Sequence, residues 1–420
     1  MRKLYVFADF SWLKAPRLIG ELSCDPVRGS GSCGFCYADA WLKDYGTLLL
    51  SADLNNYPGQ QYTAQGSELF GCFSDVLPDR WGRTLIKRWQ QLQAQHEQRP
   101  LRRLSSFDSL LRIDDLSRMG ALRFKEALDG EFLNAGAIRR IPALTGLREL
   151  QEASTEIERS EEEHQLPDQR MLERLLQPGS SLGGARPKAG VLDEHKTLYI
   201  AKFPSCKDDY NVELWEHFSH LLAQQAGINT AETRVISAGG RYHTLLSRRF
   251  DRCDDGRRIH FASAMTLLGL SDGDNANTGK GYLDIVDFIV QNCTEVERNL
   301  CELYRRAAFN ICIANTDDHF RNHGFVLTPK GWTLAPAYDM NPTLNEYQSL
   351  LINRRSNKSD VQELLHSCEE YMIERQEAEQ IINEVLAAVS KWRPLALRLG
   401  ITKSEQERFA TVFERQKLSL

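Results

Sequence analysis

The pattern of apolar and polar residues changes along the chain, and each change predicts a different element. Residues 1–75 contain short apolar runs, at 4–7 and 47–50, which indicate small β-structure. Between 145 and 177 apolar residues recur at helical spacing, and the helix is expected to stop at Pro178. The first half of the chain is therefore expected to mix short strands with helix.

In the second half, predicted strands and helices follow one another closely. Helices are predicted over 211–226 and 302–314, the latter carrying apolar residues all along one face. The predicted strands are 198–203, 232–237, 242–247, 325–327 and 332–334. The last two are joined by Thr-Pro-Lys-Gly, which is typical of a hairpin turn. A buried helix thus leads into a polar loop and then into a hairpin.

The polar loop has the residue spacing of a kinase catalytic loop. Asp317 and Asn322 match D-x-x-x-x-N, in which the Asp faces the acceptor hydroxyl and the Asn reaches a magnesium ion. Asp339 follows the hairpin, which can bring it beside Asn322 to hold Mg²⁺ against the phosphates of ATP. The short motif alone occurs often by chance, so the order of helix, loop, hairpin and acid carries the prediction.

A second segment, SSLGGARPK at 180–188, indicates a phosphate-binding loop. Small residues let backbone N–H groups approach a phosphate, while Arg186 and Lys188 add positive charge. The segment is neither a Walker A loop nor G-x-G-x-x-G, so its signal is weak by itself. Lys202, at the end of a predicted strand, strengthens it because a kinase places its phosphate-holding lysine there.

Two further features would complete an ATP site. The helix predicted after Lys202 offers Glu213 and Glu216 as partners for its ammonium group. The later strands end at Arg248, beyond which Phe250 is expected near the adenine and Asp251 near the ribose.

Composition fits a sizeable soluble enzyme. The chain has 420 residues, which predicts two or three domains or lobes, and its formal charge of -5 argues against a dedicated nucleic-acid binder. No membrane span is visible, and Asp9 interrupts the short apolar run at the start, so neither a signal peptide nor a membrane role is expected. The predicted location is the cytoplasm.

Cysteines and a basic run allow both structural and functional interpretations. The ten cysteines include one C-x-x-C, Cys33 to Cys36, and most are expected to be free thiols rather than zinc ligands. The run at 79–103 carries an excess of arginine and lysine, which favours a solvated helix face over a surface for nucleic acid or a partner.

Several motifs together resemble the HipA-type serine/threonine kinases, the toxin members of bacterial type II toxin–antitoxin pairs. The matching segments are LPDRWGR (77–83), SLGGARPK (181–188), RFDR (249–252), TDDHFRN (316–322) and PAYD (336–339). The resemblance covers most of the chain and implies an α+β, two-lobed protein-kinase-like fold with a β-rich N-terminal subdomain and a mainly helical C-terminal lobe. The expected ranges are 1–110 for the β-rich subdomain with its basic helix, 111–250 for the rest of the N-lobe, and 251–420 for the helical C-lobe.

The resemblance also implies roles for single residues. Asp317 would be the catalytic aspartate with His319 orienting its loop, although a packing role suits His319 nearly as well. Asn322 and Asp339 would bind magnesium. The residues implied in binding ATP are Ser181, Leu182, Gly183, Gly184, Ala185, Arg186, Lys188, Lys202, Glu216, Arg248, Phe250 and Asp251.

Regulation and partners follow from the resemblance alone. Ser181 matches the position whose autophosphorylation ejects the phosphate loop, and its neighbour Ser180 leaves the modified serine open. One departure is Arg186-Pro187, where some members carry Gln-Glu, which puts the loop contacts in doubt. The implied acceptor is a protein, with aminoacyl-tRNA synthetases as the associated class. The implied partner is a helix-turn-helix antitoxin, and DNA contact would be only indirect or weak. The alternatives are a small-molecule kinase, or a catalytically weak scaffold that acts as a corepressor with an antitoxin.

Overall fold

The computed structural model describes residues 2–25, 32–101, 104–135, 141–176 and 184–416. The chain divides into two compact units. Unit 1 comprises residues 1–207, 238–240 and 246–262. Unit 2 comprises residues 208–237, 241–245 and 263–420. The division into three ranges expected from the sequence stays a prediction.

Unit 1 begins with an antiparallel sheet. Its strands are β1 (Arg2–Ala8), β2 (Arg17–Cys24), β3 (Cys33–Tyr37), β4 (Gln60–Tyr62) and β5 (Leu122–Lys125), in the order β4-β3-β2-β1-β5. Leu4, Val6 and Ala8 alternate into the core, since successive side chains of a strand point to opposite faces. The strand expected at 4–7 is confirmed. The one expected at 47–50 is wrong, because this run buries Leu50 from a turn without pairing to a strand.

The helices of unit 1 are α1 (Asp39–Tyr45), α2 (Gly71–Ser74), α3 (Arg80–His96), α4 (Ser106–Leu110), α5 (Leu147–Glu162) and α6 (Gln169–Leu176). Asp79 caps α3, because its Oδ1 accepts a hydrogen bond from the Gly82 N–H at 2.7 Å. The single helix predicted over 145–177 is wrong. The chain breaks between α5 and α6, where His164 has a left-handed φ of 53° and Pro167 cannot donate a helical hydrogen bond.

The remaining strands of the first 263 residues are β6 (Lys188–Leu192), β7 (Leu198–Lys202), β8 (Thr233–Ile236), β9 (Thr244–Arg248) and β10 (His260–Ser263). Within unit 1, β6 and β7 pair in antiparallel fashion, with Lys188 directly opposite Lys202. Just beyond β9, the Arg249 N–H donates to the Leu198 carbonyl at 3.0 Å. The predicted strands at 198–203, 232–237 and 242–247 are therefore confirmed to within two residues at each end.

Unit 2 is mainly helical. Its helices are α7 (Val212–Gln225), α8 (Ala264–Leu267), α9 (Tyr282–Asn292), α10 (Val296–Cys312), α11 (Val361–His366), α12 (Arg375–Val389), α13 (Trp392–Arg398) and α14 (Lys403–Phe413). A hairpin of β11 (Gly324–Thr328) and β12 (Gly331–Leu334) follows α10. Its turn needs Gly331, whose φ of +134° is closed to most side chains. The predicted helices at 211–226 and 302–314 and the predicted hairpin are confirmed.

All ten cysteines lie in the described ranges. Cys24 and Cys33 form a disulfide that joins β2 to β3, with Cα atoms 4.3 Å apart. The free thiols are those of Cys36, Cys72, Cys206, Cys253, Cys293, Cys301, Cys312 and Cys368. Most cysteines are thus free, as expected. The described part of the chain contains no helix that combines the length and the apolar character needed to cross a bilayer.

Candidate active site

The end of α10 delivers the polar loop from a buried base. Helix α10 ends at Cys312, and Ala314 then takes a left-handed φ of 48° that turns the chain. The Asn315 N–H donates to the Asn310 carbonyl at 2.8 Å, and the Thr343 hydroxyl donates to the Ala314 carbonyl at 2.9 Å. The loop therefore starts from a fixed point.

The loop and the segment after the hairpin bring the three predicted polar residues together. Asn322 donates from its Nδ2 to the Asp317 carbonyl at 3.1 Å, and its N–H donates to the His319 carbonyl at 2.8 Å. Asp317 is exposed, while Asn322 and Asp339 are half-buried. Asp339 adopts a left-handed φ of 57° and lies close enough to Asp317 for the two carboxylates to repel each other.

Partial burial and the neighbouring carboxylates change the pKa of Asp317. Partial burial raises the pKa of Asp317, and the negative charges of Asp339 and Asp318 raise it further, while the neighbouring His319 opposes them. A carboxyl group with a raised pKa is a better proton acceptor than an ordinary aspartate. The concentrated negative charge also favours a cation beside these oxygens.

A buried network that sequence reasoning missed lies behind the loop. Asp318 is only 3% exposed and accepts hydrogen bonds from the Tyr282 hydroxyl and from Nε2 of His323 at 2.8 Å. Tyr282, in α9, also accepts from Nδ2 of Asn310 at 3.1 Å. The His323 carbonyl accepts from the Ala264 N–H at 2.8 Å. The loop is thus tied to helices α8, α9 and α10.

Electrostatics keep Asp318 charged in this network. Burial would raise the pKa of Asp318, but the His323 charge and the hydrogen bonds from His323 and Tyr282 outweigh burial and lower it. Burial and the Asp318 carboxylate together raise the pKa of Tyr282, so its hydroxyl stays a donor. One signal was available in the sequence: Asp318 and His323 have the same five-residue spacing as Asp317 and Asn322.

The segment that carries Asp339 is also hydrogen-bonded to the polar loop. Tyr338 donates its hydroxyl to the Arg321 carbonyl at 2.7 Å. The Asn341 N–H donates to Oδ1 of Asn315 at 3.3 Å, and Nδ2 of Asn341 lies 3.4 Å from Asp339. Oδ1 of Asn341 is buried and has no hydrogen-bond partner within the described ranges. Another oxygen is therefore available close to Asp339.

The donor set fits a magnesium ion that is completed by phosphates. No group of three or more His, Cys, Asp and Glu side chains arranged as a metal cage occurs in the described part of the chain. Mg²⁺ is usually held by one or two carboxylates together with substrate phosphates and water. Asp339, the Asn322 amide and the crowded charge at Asp317 suit that mode of binding.

His319 lies beside both aspartates of the loop. Its positive form would lower the pKa of Asp317 and Asp318. Nδ1 of His319 is buried without a hydrogen-bond partner among the described residues. The histidine that hydrogen-bonds Asp318 is His323. The role of His319 in orienting the loop stays a prediction.

The predicted phosphate side lies in unit 1. Ser180, Ser181, Leu182 and Gly183 fall outside the described residues. Gly184 has a left-handed φ of 94°, and Ala185 is exposed. Lys188 is 2% exposed and forms an ion pair with Asp79, with Nζ 3.1 Å from Oδ2. Lys202 is half-buried at the end of β7.

The RFDR segment contains a buried aspartate that is paired with two arginines. Asp251 is fully buried, and Arg249 binds both of its oxygens at 2.6 and 2.5 Å. The Gly120 N–H donates to Asp251 at 2.7 Å, and Arg252 donates to it at 2.7 Å. Burial would raise the pKa of Asp251, but the Arg249 and Arg252 charges outweigh burial and lower it to about 2. A ribose contact by Asp251 would require these hydrogen bonds to break.

The other predicted nucleotide residues are closer to the surface, apart from the glutamates. Arg248 pairs with Asp254, and the half-buried Phe250 packs against Phe261 with ring centroids 5.8 Å apart. Glu213 and Glu216 are both buried in α7, 1% and 3% exposed. The family resemblance favours Glu216 over Glu213 as the partner of Lys202, and this pairing stays a prediction.

The mixed fold and the polar groups gathered at Asp317, Asn322 and Asp339 are those expected of a kinase, which is the class named for the relatives of this chain. A family model described as the HipA-like C-terminal domain matches residues 180–392, and one described as the HipA N-terminal domain matches residues 12–124. The chain belongs to the HipA family. The resemblance inferred from the sequence is thereby confirmed.

Two relatives and one solved structure show how far the similarity extends. The serine/threonine-protein kinase toxin HipA of Shewanella oneidensis is 27% identical over 189 residues, which cover 39% of this chain and 43% of the relative. A Sinorhizobium fredii protein named "Putative kinase Y4mE" is 25% identical over 347 residues, covering 78% and 76%. A chain of the solved Shewanella oneidensis complex of HipA, HipB and operator DNA superimposes with a TM-score of 0.66 at 19% identity, covering 98% of this chain and 95% of that one.

These matches carry different weight. The structural likeness confirms the expected fold class, which is α+β and protein-kinase-like. The sequence match spans less than half of the length of the Shewanella oneidensis kinase toxin.

Proposed function

We propose that the chain is an ATP-dependent serine/threonine protein kinase that transfers the γ-phosphoryl group of ATP to a protein hydroxyl. The observation that supports this most is the meeting of Asp317, Asn322 and Asp339 at the end of α10. Family membership and relatives that are named as kinases support the same reaction class.

In the proposed reaction, Asp317 accepts the proton of the acceptor hydroxyl as the oxygen attacks the γ-phosphorus. The raised pKa of Asp317 suits this role, because a stronger base holds the proton better at neutral pH. The bond from the γ-phosphorus to the bridging oxygen breaks, and ADP leaves. Mg²⁺, when bound, neutralises charge on the phosphates, and Asn322 and Asp339 would hold it.

The nucleotide is proposed to bind through the loop at 181–188 and Lys202, with Glu216 or Glu213 fixing the lysine. Phe250 and Arg248, which lie closer to the surface than Asp251, are the better candidates for the base end. Positioning and neutralisation of charge supply most of the acceleration in phosphoryl transfer. Loss of a metal ligand is therefore expected to harm activity more than loss of a surface arginine.

The acceptor and partner are proposed by analogy. One relative is named a serine/threonine-protein kinase toxin, and the solved complex of similar fold contains HipB and operator DNA. The acceptor is therefore proposed to be a protein, with aminoacyl-tRNA synthetases as the first class to test. An antitoxin with a helix-turn-helix is the proposed partner, and any DNA contact would run mainly through it.

Incubating a bacterial lysate with the purified protein and radiolabelled ATP tests the proposal. Wild type should label protein bands, whereas Asp317→Gln should lower labelling by at least about a hundredfold, because the proton acceptor is lost. The matched control is Asp287→Gln, which changes an exposed aspartate on α9. Near-normal labelling by Asp317→Gln would contradict the assignment.

The same experiment separates the alternatives. Label in small metabolites rather than in proteins would favour a small-molecule kinase, and no ATP-dependent label with wild type would favour a scaffold.

Digestion of the labelled enzyme addresses the proposed self-inactivation. Mass spectrometry should find phosphate on Ser181 or Ser180. Failure to find phosphate on either serine would contradict self-inactivation by autophosphorylation.

A further inference from the structure

The LPDRWGR segment carries a buried ion pair that reaches the predicted phosphate loop. Nζ of Lys188 lies 3.1 Å from Oδ2 of Asp79, and both side chains are 2% exposed. The other carboxylate oxygen of Asp79 accepts from the Gly82 N–H and caps α3. One aspartate therefore joins the start of α3 to the first residue of β6.

The same segment also contacts the foot of the loop through its backbone. The Trp81 N–H donates to the Gly184 carbonyl at 3.4 Å. A Cβ built on Gly184 would lie 2.8 Å from Nζ of Lys188, so the ammonium group sits directly against this glycine. Asp79 and Trp81 thus contact the two ends of the segment Gly184–Lys188.

Burial makes this contact specific. An ammonium group removed from water needs a carboxylate and good geometry, since an unpaired buried charge is strongly unfavourable. Asp79 therefore fixes where Nζ of Lys188 lies. Because Nζ also contacts Gly184, its fixed position restricts where the backbone at Gly184 can lie. Because Lys188 stands opposite Lys202 across β6 and β7, the loop is also fixed relative to the lysine proposed to hold the phosphates.

We propose that Asp79 is a positioning residue for ATP, which acts through Lys188 to hold Gly184–Lys188, the described part of the predicted phosphate loop, in its binding geometry. This inference rests on the proposed function. Under this proposal, the LPDRWGR segment contributes to nucleotide binding as well as forming the start of the basic helix α3. Asp79 need not touch the nucleotide, and its effect is expected on ground-state binding.

Asp79→Asn is the direct test, because the amide can still cap α3 but carries no charge for Lys188. Steady-state phosphotransfer should show KM for ATP raised about tenfold, with kcat within about twofold, as expected when uniform binding is lost. The matched control is Ser105→Ala, which removes the cap of α4 in the same unit. Ser105→Ala should leave KM for ATP unchanged, and an equal KM in both variants would overturn the proposal.

A second variant separates positioning from stability. Asp79→Asn with Lys188→Met removes both charges, so the melting temperature should recover toward wild type even if Asp79→Asn alone folds poorly. KM for ATP should nevertheless stay raised about tenfold, because no ammonium group remains against Gly184. Recovery of both quantities to wild-type values would show a purely structural pair and overturn the proposal.

Hydrogen exchange without nucleotide distinguishes failure of this inference from failure of the proposed function. In Asp79→Asn, but not in Ser105→Ala, the peptides that contain Trp81 and Gly184–Lys188 should exchange faster. Unchanged exchange would overturn the positioning role even in an active kinase. Absence of phosphotransfer by wild type would refute the kinase activity, while exchange would still decide whether Asp79 holds the loop.

Discussion

At the scale of single residues, Asp317, the proposed proton acceptor, depends on its neighbour in the chain. Asp317 faces solvent, whereas Asp318 turns inward and is held by Tyr282 and His323. The inward residue anchors the outward one, since the two share a peptide bond. The position of Asp317 should therefore depend on the Tyr282 hydroxyl, which contacts Asp318 and is not proposed to contact substrate.

Replacing Tyr282 by phenylalanine tests this dependence. Tyr282→Phe removes the hydroxyl bonded to Asp318 and should lower kcat by about tenfold, because a small displacement of a catalytic group is costly. Loss of a hydrogen bond to a charged group should also lower the free energy of unfolding by about 1.5–3 kcal/mol. Steady-state kinetics and urea titration measure the two effects.

Tyr304→Phe is the matched control for this variant. Tyr304 is also buried in unit 2, and its hydroxyl donates to the Leu364 carbonyl at 3.2 Å, away from the loop. It should cost about 1 kcal/mol of stability and leave kcat unchanged. Equal kcat losses in the two variants would mean that Tyr282 acts only on stability.

The residues that sequence could predict are those whose spacing is local. Asp317 and Asn322 are five apart, and a hairpin readable from its turn residues brings Asp339 back to them. Tyr282 could not be found in this way, because it reaches Asp318 from 36 residues earlier. A partner that arrives from another helix leaves no periodic signal in a single sequence.

At the scale of elements, the turn of the hairpin between the polar loop and Asp339 leaves little room for a side chain. Gly331 has a φ of +134°, and a Cβ there would lie 3.1 Å from Cγ2 of Thr294. Both the backbone and a neighbour oppose a side chain at this turn. The hairpin geometry therefore depends on glycine.

Gly331→Ala should lower the free energy of unfolding by about 2–3 kcal/mol. The control is Gly400→Ala, where φ is +75° and no atom lies within 4 Å, so only the left-handed backbone is penalised, by about 1 kcal/mol. Urea titration of both variants gives the comparison. A loss no greater in Gly331→Ala than in Gly400→Ala would contradict a steric role for the turn.

Elements were predictable where periodicity and punctuation agreed. Helix α10 and the β11–β12 hairpin had both a clear period and clear turn residues. The break between α5 and α6 was missed because helical spacing continues on both sides of Pro167. The run at 47–50 was misread because a short apolar run has no period of its own.

At the scale of the whole molecule, acid stability should depend on one buried histidine of unit 1. His260 stacks on Phe10 with ring centroids 5.2 Å apart, which joins positions that are distant in the chain. Burial lowers the pKa of His260 to about 3. In the unfolded chain the imidazole takes up its proton near pH 6.5.

The sign of the pH effect follows from this difference. The stability that neutral His260 contributes is fully present above about pH 6.5 and falls by about 1.4 kcal/mol per unit as the pH drops toward 3. His260→Phe should remove this dependence and keep the stacking on Phe10. The measurement is denaturant unfolding between pH 7 and pH 4.5.

An exposed histidine supplies the control for the pH series. His195 is largely exposed, so His195→Gln should follow the wild-type curve. A His260→Phe curve that is parallel to wild type would show that other groups govern acid stability. Unit 1 would then lose stability through its carboxylates rather than through this ring.

The buried pair of Asp79 and Lys188 limits how parts of related chains can be exchanged. Its two members lie in the segments matched separately by the N-terminal and C-terminal family models, 12–124 and 180–392. A chimera that takes one segment from a relative with a different residue at either position would inherit half of an ion pair. Chimeras that inherit both positions together should therefore be more stable to denaturant than chimeras that split the pair.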